Sequence, residues 1–98
     1  MSARAPDPSI ALVGLSHRTA AVSIRERLAF TSTRLPEGLR RFRDSTGQEE
    51  GVILSTCNRV EIYSTLGEDE STEPLIGFLC DFHEVPRELI RDRFYVHR

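Results

Sequence analysis

An α+β fold of four strands and two main helices is predicted by three observations in these 98 residues. Apolar or alternating runs of strand length occur at Ile10–Leu15, "GVILSTC", "VEIYSTL" and "FYVHR". A helical spacing of apolar residues occurs twice: Leu35, Leu39 and Phe42 at i, i+4, i+7, and Leu75, Phe78, Leu79 and Phe82 at i, i+3, i+4, i+7. The order along the chain is strand, helix, strand, strand, helix, strand. That is the split βαβ, or ferredoxin-like, arrangement, here with extra short helices.

Each element has its own justification. Residues 1–8 are rich in Ala, Pro and Asp and read as a flexible N-terminal tail. "SIALVGLSH" is a short apolar run that ends in Gly, Ser and His, so a buried strand. "VSIRERLAF" places Ile24 and Leu28 at i, i+4 with charges between them, a short helix. The second helix is predicted over Leu35–Arg43, after Ser and Thr residues that suit an N-cap. "GVILSTC" is rich in β-branched residues and reads as a central strand. "VEIYSTL" alternates, with Val60, Ile62 and Leu66 on one face and Glu61, Tyr63 and Thr65 on the other. Almost nothing separates these two strands, which predicts a tight hairpin with Asn58 in a positive-φ turn position. Ser71 or Thr72 caps the next helix, and Pro74 falls in its first turn. Pro86 opens a further short helix before the last strand.

Composition bounds the function. The chain is 39% hydrophobic and 29% charged, with a net charge of −2, which argues against a generally basic nucleic-acid-binding surface. All 13 basic residues are arginine, so lysine chemistry is excluded. Two cysteines cannot build a disulfide scaffold, and they are too far apart for a zinc site. His17, His83 and His97 show no ligand spacing, so no metal is expected. No apolar run approaches the roughly 20 residues that span a bilayer, and no signal peptide is visible. A cytoplasmic setting with free thiols is therefore expected.

Three constellations are candidates for chemistry. Cys57 falls at the hairpin tip in "LSTCNRVEIY", two residues before Arg59. A thiolate is a good nucleophile, and a guanidinium offers a carboxylate a planar two-pronged donor. A lone cysteine in a β-rich segment is usually a small buried hydrophobe, and spacing alone favours that reading of Cys57. Cys80, inside an amphipathic helix, reads as core. Ser16, His17, Arg18 and Thr19 form a polar cluster after the first strand, where His17 is a general acid–base or a helix cap. Arg34, Arg40, Arg41 and Arg43 form a basic run that is a phosphate contact or a solvated helix face.

Two of these segments together carry a resemblance. "GLSHRTAAVSIRERLAF" followed by "VILSTCNRVEIY" resembles the start of the glutamyl-tRNA reductase family, whose pattern ends in Ser-Thr-Cys-Asn-Arg-Thr-Glu-aliphatic-Tyr. This chain departs from that pattern at Ala21, where the family prefers proline, and at Val60, where it prefers threonine. "LCDFHEV" and "LIRDRFYVH" match the usual continuation.

The resemblance implies that Cys57 is the catalytic nucleophile. It would attack the ester joining glutamate to its tRNA and form a thioester, which NADPH reduces to glutamate-1-semialdehyde, the first step of tetrapyrrole biosynthesis. It implies that Thr56, Asn58 and Arg59 bind substrate. It further implies that residues 9–98 are an incomplete N-terminal catalytic, glutamate-recognition domain. The NADPH-binding and dimerisation domains would lie outside this chain, the full enzyme being a homodimer and the downstream aminomutase a partner. Two rival readings stay open: a ferredoxin-like binding module without catalysis, and a thiol-dependent hydrolase of glutamyl esters.

Overall fold

The computed structural model describes residues 9–48, 50–67 and 69–98. The N-terminal tail read from residues 1–8 lies outside the described residues. Elements follow in the order β1 (Ser9–Ser16), α1 (Val22–Leu28), α2 (Leu35–Thr46), β2 (Gly51–Ser55), β3 (Arg59–Leu66), α3 (Glu73–Phe82), α4 (Arg87–Ile90), a 3₁₀ turn (Arg91–Arg93) and β4 (Tyr95–His97).

The sheet order is β2-β3-β1-β4, and every neighbouring pair is antiparallel. β1 and β2 therefore run parallel with β3 between them, and β3 and β4 run parallel with β1 between them. This is the expected split βαβ topology. One expectation fails: β2 is an edge strand and not a central one. Its apolar run misleads because only Ile53 packs against the core, while Val52 is 59% exposed on the opposite face.

The period of two in β1 and β3 decides which face is covered. Ala11, Val13 and Leu15 of β1, with Val60, Ile62 and Leu66 of β3, are buried beneath the helices. Burying one such side chain contributes about 1.5–3 kcal/mol. The helical layer closes over them with Leu28, Leu75, Leu79 and a set of phenylalanines. Phe30 and Phe82 stack at 5.2 Å between centroids, and Phe42 meets Phe78 edge-on at 5.4 Å. Cys80 is fully buried in this layer, as expected, and burial pushes its thiol pKa up.

The helix ends differ from the sequence reading. α2 continues three residues past Arg43, because the stop signal is Gly47 and not the last apolar residue. Gly47 adopts φ +74°, and its N–H donates to the Arg43 carbonyl at 3.0 Å. The Ser and Thr residues expected as caps make no side-chain cap bond: Arg34 and Thr72 occupy the two N-cap positions, both with helical dihedrals. Ser71 Oγ instead accepts the Glu73 N–H at 3.0 Å.

The other face of the sheet carries Leu12, Gly14 and Ser16 of β1, Arg59, Glu61 and Tyr63 of β3, and Tyr95 and His97 of β4. Gly14 sits opposite Glu61, and a Cβ there would lie 2.7 Å from both Glu61 Cγ and the Val60 carbonyl oxygen. The missing side chain is what lets Glu61 lie across β1. Gly14→Ala is expected to cost about 1–3 kcal/mol by overpacking, read as a lower urea midpoint. An unchanged midpoint would mean that the two strands separate without cost.

His83 follows α3 and is wedged edge-on against Phe30 and Phe82, with its Nε2 buried and unpartnered. Burial, helped by nearby Arg34, lowers its pKa from 6.5 to about 4. The unfolded chain thus binds this proton first as pH falls. The stability His83 contributes is complete above pH 6.5 and is lost progressively toward pH 4. Melting temperatures at pH 7 and pH 5 should show a smaller difference in His83→Leu than in the parent.

Candidate active site at the β2–β3 hairpin

The hairpin turns on two residues, Cys57 and Asn58, without a left-handed residue. Among the described residues Glu84 is the sole non-glycine with positive φ, so the expected role of Asn58 is not realised. Thr56 closes the turn instead. Its N–H donates to the Arg59 carbonyl at 2.8 Å, and its hydroxyl oxygen accepts the N–H groups of Asn58 and Arg59, each at 3.2 Å. A side-chain oxygen thus stands where a hairpin carbonyl would accept. The turn draws in both N–H groups that follow the cysteine.

The carbonyls at the tip are fixed from two sides. The His17 N–H donates to the Asn58 carbonyl at 2.8 Å, which binds the β1–α1 loop to the tip. Arg25 of α1 donates from Nη1 to the Cys57 carbonyl and from Nε to the Ala20 carbonyl at 3.2 Å. Thr19 Oγ1 accepts the Ser16 N–H at 3.0 Å and shapes that loop. Cys57 itself is exposed and free, so the reading of a small buried hydrophobe does not hold.

An open pocket of about 660 Å³ lies beside the tip on the uncovered face of the sheet. Thr56, Asn58 and Arg59 line it, with Ser16, His17, Arg18 and Thr19 from the loop, Leu12 and Glu61 from the sheet, and Tyr95 and His97 from β4. The fold thereby unites two segments that the sequence singled out separately. His17 is exposed here and not a helix cap, since the N-cap of α1 is Ala21, with no side-chain cap bond.

Glu61 is the residue that sequence reasoning missed. It is 4% exposed, yet it accepts Tyr63 O–H at 2.8 Å and Tyr95 O–H at 2.6 Å. Its Oε1 lies 3.8 Å from Arg59 Nε. A buried carboxylate needs such donors. Its hydrogen bond and burial raise the Tyr63 pKa, while burial and then the same carboxylate raise that of Tyr95, so both phenols remain donors. Arg59 is held by its inner nitrogen, and its Nη1 and Nη2 have no hydrogen-bond partner among the described residues. That leaves a guanidinium fork for an incoming carboxylate. The signal was present in the sequence: Arg59, Glu61 and Tyr63 at i, i+2, i+4 share one strand face. Tyr95 carried no signal, because its pairing across β1 is a property of the topology.

Arg59 inclines toward Glu61, its Nε 3.8 Å from Oε1. Cys57 stands off the Arg59 pocket: it lines a smaller groove of about 110 Å³ with Val22, Arg25, Glu26, Ala29 and Thr56. The arginines of α2 are not gathered at the hairpin. Arg34 and Arg41 lie over the Phe82 ring at 4.5 and 5.3 Å, and Arg41 pairs with Glu37 at 3.7 Å, which favours the solvated-face reading. No group of residues that could hold a metal occurs among the described residues. No helix there is long and apolar enough to cross a membrane.

Comparison with known proteins bears on this geometry. Residues 13–98 match the family described as "Glutamyl-tRNAGlu reductase, N-terminal domain". The chain is 41% identical over 90 residues to the glutamyl-tRNA reductase of Marinobacter nauticus, covering 92% of this chain and 21% of that protein. It is 47% identical over 83 residues to that of Neisseria gonorrhoeae, covering 85% of this chain and 19% of the relative. Among solved structures it is similar to the glutamyl-tRNA reductase from Methanopyrus kandleri. The TM-score is 0.62 at 30% identity, over 91% of this chain and 18% of that one. The chain thus spans about a fifth of the length of the curated relatives it matches. The β-α-β-β-α-β sheet, the Thr56-Cys57-Asn58-Arg59 hairpin and the matched residues agree, and the chain belongs to the glutamyl-tRNA reductase N-terminal domain family.

Proposed function

We propose that this chain is the glutamate-recognition domain of an NADPH-dependent glutamyl-tRNA reductase, with Cys57 as its nucleophile. The observation that carries the reading is the hairpin tip. It holds an exposed thiol next to a pocket whose Arg59 fork is free and backed by Glu61. Arg59 takes the side-chain carboxylate of the glutamyl group, while Thr56 and Asn58 line the approach. The Cys57 sulfur, as thiolate, bonds to the ester carbonyl carbon. The carbon–oxygen bond to the ribose breaks, and the ribose oxygen leaves as a hydroxyl, its proton replacing the one the thiol lost.

NADPH, when bound, supplies the hydride that converts the thioester to glutamate-1-semialdehyde. The described residues do not fit that cofactor. Gly14 and Gly51 lie in strands, Gly38 and Gly77 inside helices, Gly47 closes α2 and Gly67 follows β3, so none forms a phosphate-cradling turn at the start of a helix. We therefore assign NADPH binding and dimerisation to other domains of a longer, cytoplasmic homodimeric enzyme. Residues 9–98 belong to its catalytic domain, and an aminomutase consumes the product.

The test is to mix the full-length reductase with glutamate-labelled glutamyl-tRNA, without NADPH, and quench in acid. Label bound at Cys57, released as semialdehyde on adding NADPH, supports the reading. Release as free glutamate alone would favour a hydrolase. No bound label and no turnover would leave an inert binding module.

A further inference from the structure

The proposed pocket accounts for only half of an ester. A thiol that attacks an ester carbonyl has the acyl group on one side and the departing alcohol on the other. In this fold the two sides of Cys57 differ. The Arg59 pocket lies on the uncovered sheet face and is not lined by Cys57, whereas the groove against α1 is. Thr56 lines both, so the two cavities meet at the hairpin tip. With the glutamyl group held by Arg59, the alcohol side is directed over Cys57 toward α1.

The groove has the chemistry of a nucleotide contact. Arg25 is anchored at two backbone carbonyls through Nε and Nη1, and its Nη2 has no hydrogen-bond partner among the described residues. An arginine oriented in this way is suited to a phosphate or ribose oxygen. Val22 begins α1 and is 55% exposed, an apolar side chain with no burial to explain it. With Ala29 it forms an apolar wall against which a sugar or a base face can pack. Glu26 is exposed at the rim, where its carboxylate can accept a ribose hydroxyl.

We propose that the groove between the hairpin tip and α1 is the subsite for the 3′-terminal nucleotide of the glutamyl ester, recognised by Arg25, Val22 and Glu26. This inference rests on the reading of Cys57 as the nucleophile. The groove is small, about 110 Å³, so it seats the ribose while the base lies across Val22. The thiol then stands between the two subsites, and the departing hydroxyl emerges on the α1 side.

The test compares two acyl donors in the full-length reductase without NADPH: glutamyl-tRNA, and the α-cyanomethyl ester of glutamate, which carries no nucleoside. The readout is the ratio of the two Cys57 acylation rates. Val22→Glu, an exposed substitution that puts an anion beside the expected phosphate, should lower that ratio at least about tenfold, as should Arg25→Gln through a lost charge-assisted bond. Arg59→Lys should slow both donors and leave the ratio within about threefold, since both carry the same glutamyl carboxylate. A ratio unchanged in both Val22→Glu and Arg25→Gln would overturn the subsite and leave the nucleophile standing. Failure of both donors to acylate Cys57 in the parent would instead refute the nucleophile, and the subsite with it.

Discussion

Replacing Cys57 by serine is expected to remove acyl-enzyme formation and semialdehyde production together, by a factor on the order of 10³ or more. Sulfur is the better nucleophile of the two, and a serine hydroxyl needs a base to activate it. Among the described residues no imidazole is hydrogen-bonded to this position, and His17 meets the tip through its backbone N–H. A serine hydroxyl there has no base to take its proton. The fold should not notice, because Cys57 is exposed and the change is nearly isosteric, so stability should move by less than about 0.5 kcal/mol. The measurements are acid-quench trapping of labelled glutamate and a urea melt of the same variant. A serine enzyme that still made semialdehyde near the parental rate would remove Cys57 from the mechanism.

Arg59→Lys is the second large effect, expected to lower kcat/KM by roughly 100-fold despite keeping the charge. Lysine offers a single ammonium where the guanidinium offers two parallel N–H donors. It also has no inner nitrogen to rest against Glu61 while its end faces the pocket. Glu61 holds that geometry through two phenolic hydrogen bonds, from Tyr63 and Tyr95. Glu61→Gln should therefore reproduce part of the loss, and the double variant should lose less than the sum of the two. A change below about threefold in Arg59→Lys would mean that the arginine serves only the hairpin.

Much of this was legible in the chain itself. Strand and helix periodicity located every main element, because a sheet face and a helix stripe must each present apolar residues at fixed intervals to one core. The tight hairpin and the core position of Cys80 follow from local pattern, whereas the exposure of Cys57 does not, since its spacing suits a small buried hydrophobe. The shared face of Arg59, Glu61 and Tyr63 follows too, since a strand alternates by geometry. Thr72 takes the N-cap position that was read for it, though without a side-chain cap bond, whereas Arg34 displaces the Ser and Thr residues before Leu35, because these residues favour N-caps without compelling them; Gly47 carried the stop signal beyond the last apolar residue. β2 was misplaced in the sheet because an apolar run reports what a strand can bury, not which neighbours the topology gives it.

What the tertiary structure decided is everything that depends on two distant segments meeting. The β1–α1 loop reaches the hairpin through the backbone bond from His17 to Asn58, a pairing without side-chain signature. Tyr95 reaches Glu61 across 34 residues only because β4 pairs with β1, which brings a phenol beside a carboxylate that would otherwise be buried with fewer donors. Arg25 lies 32 residues from the Cys57 carbonyl it holds. The sequence alone determined which groups at the tip are chemically able to act: one thiol in a turn and one fork two residues on. The fold decided on which side of the thiol the fork stands, because the covered face of the sheet and its open face are set by where the helices pack.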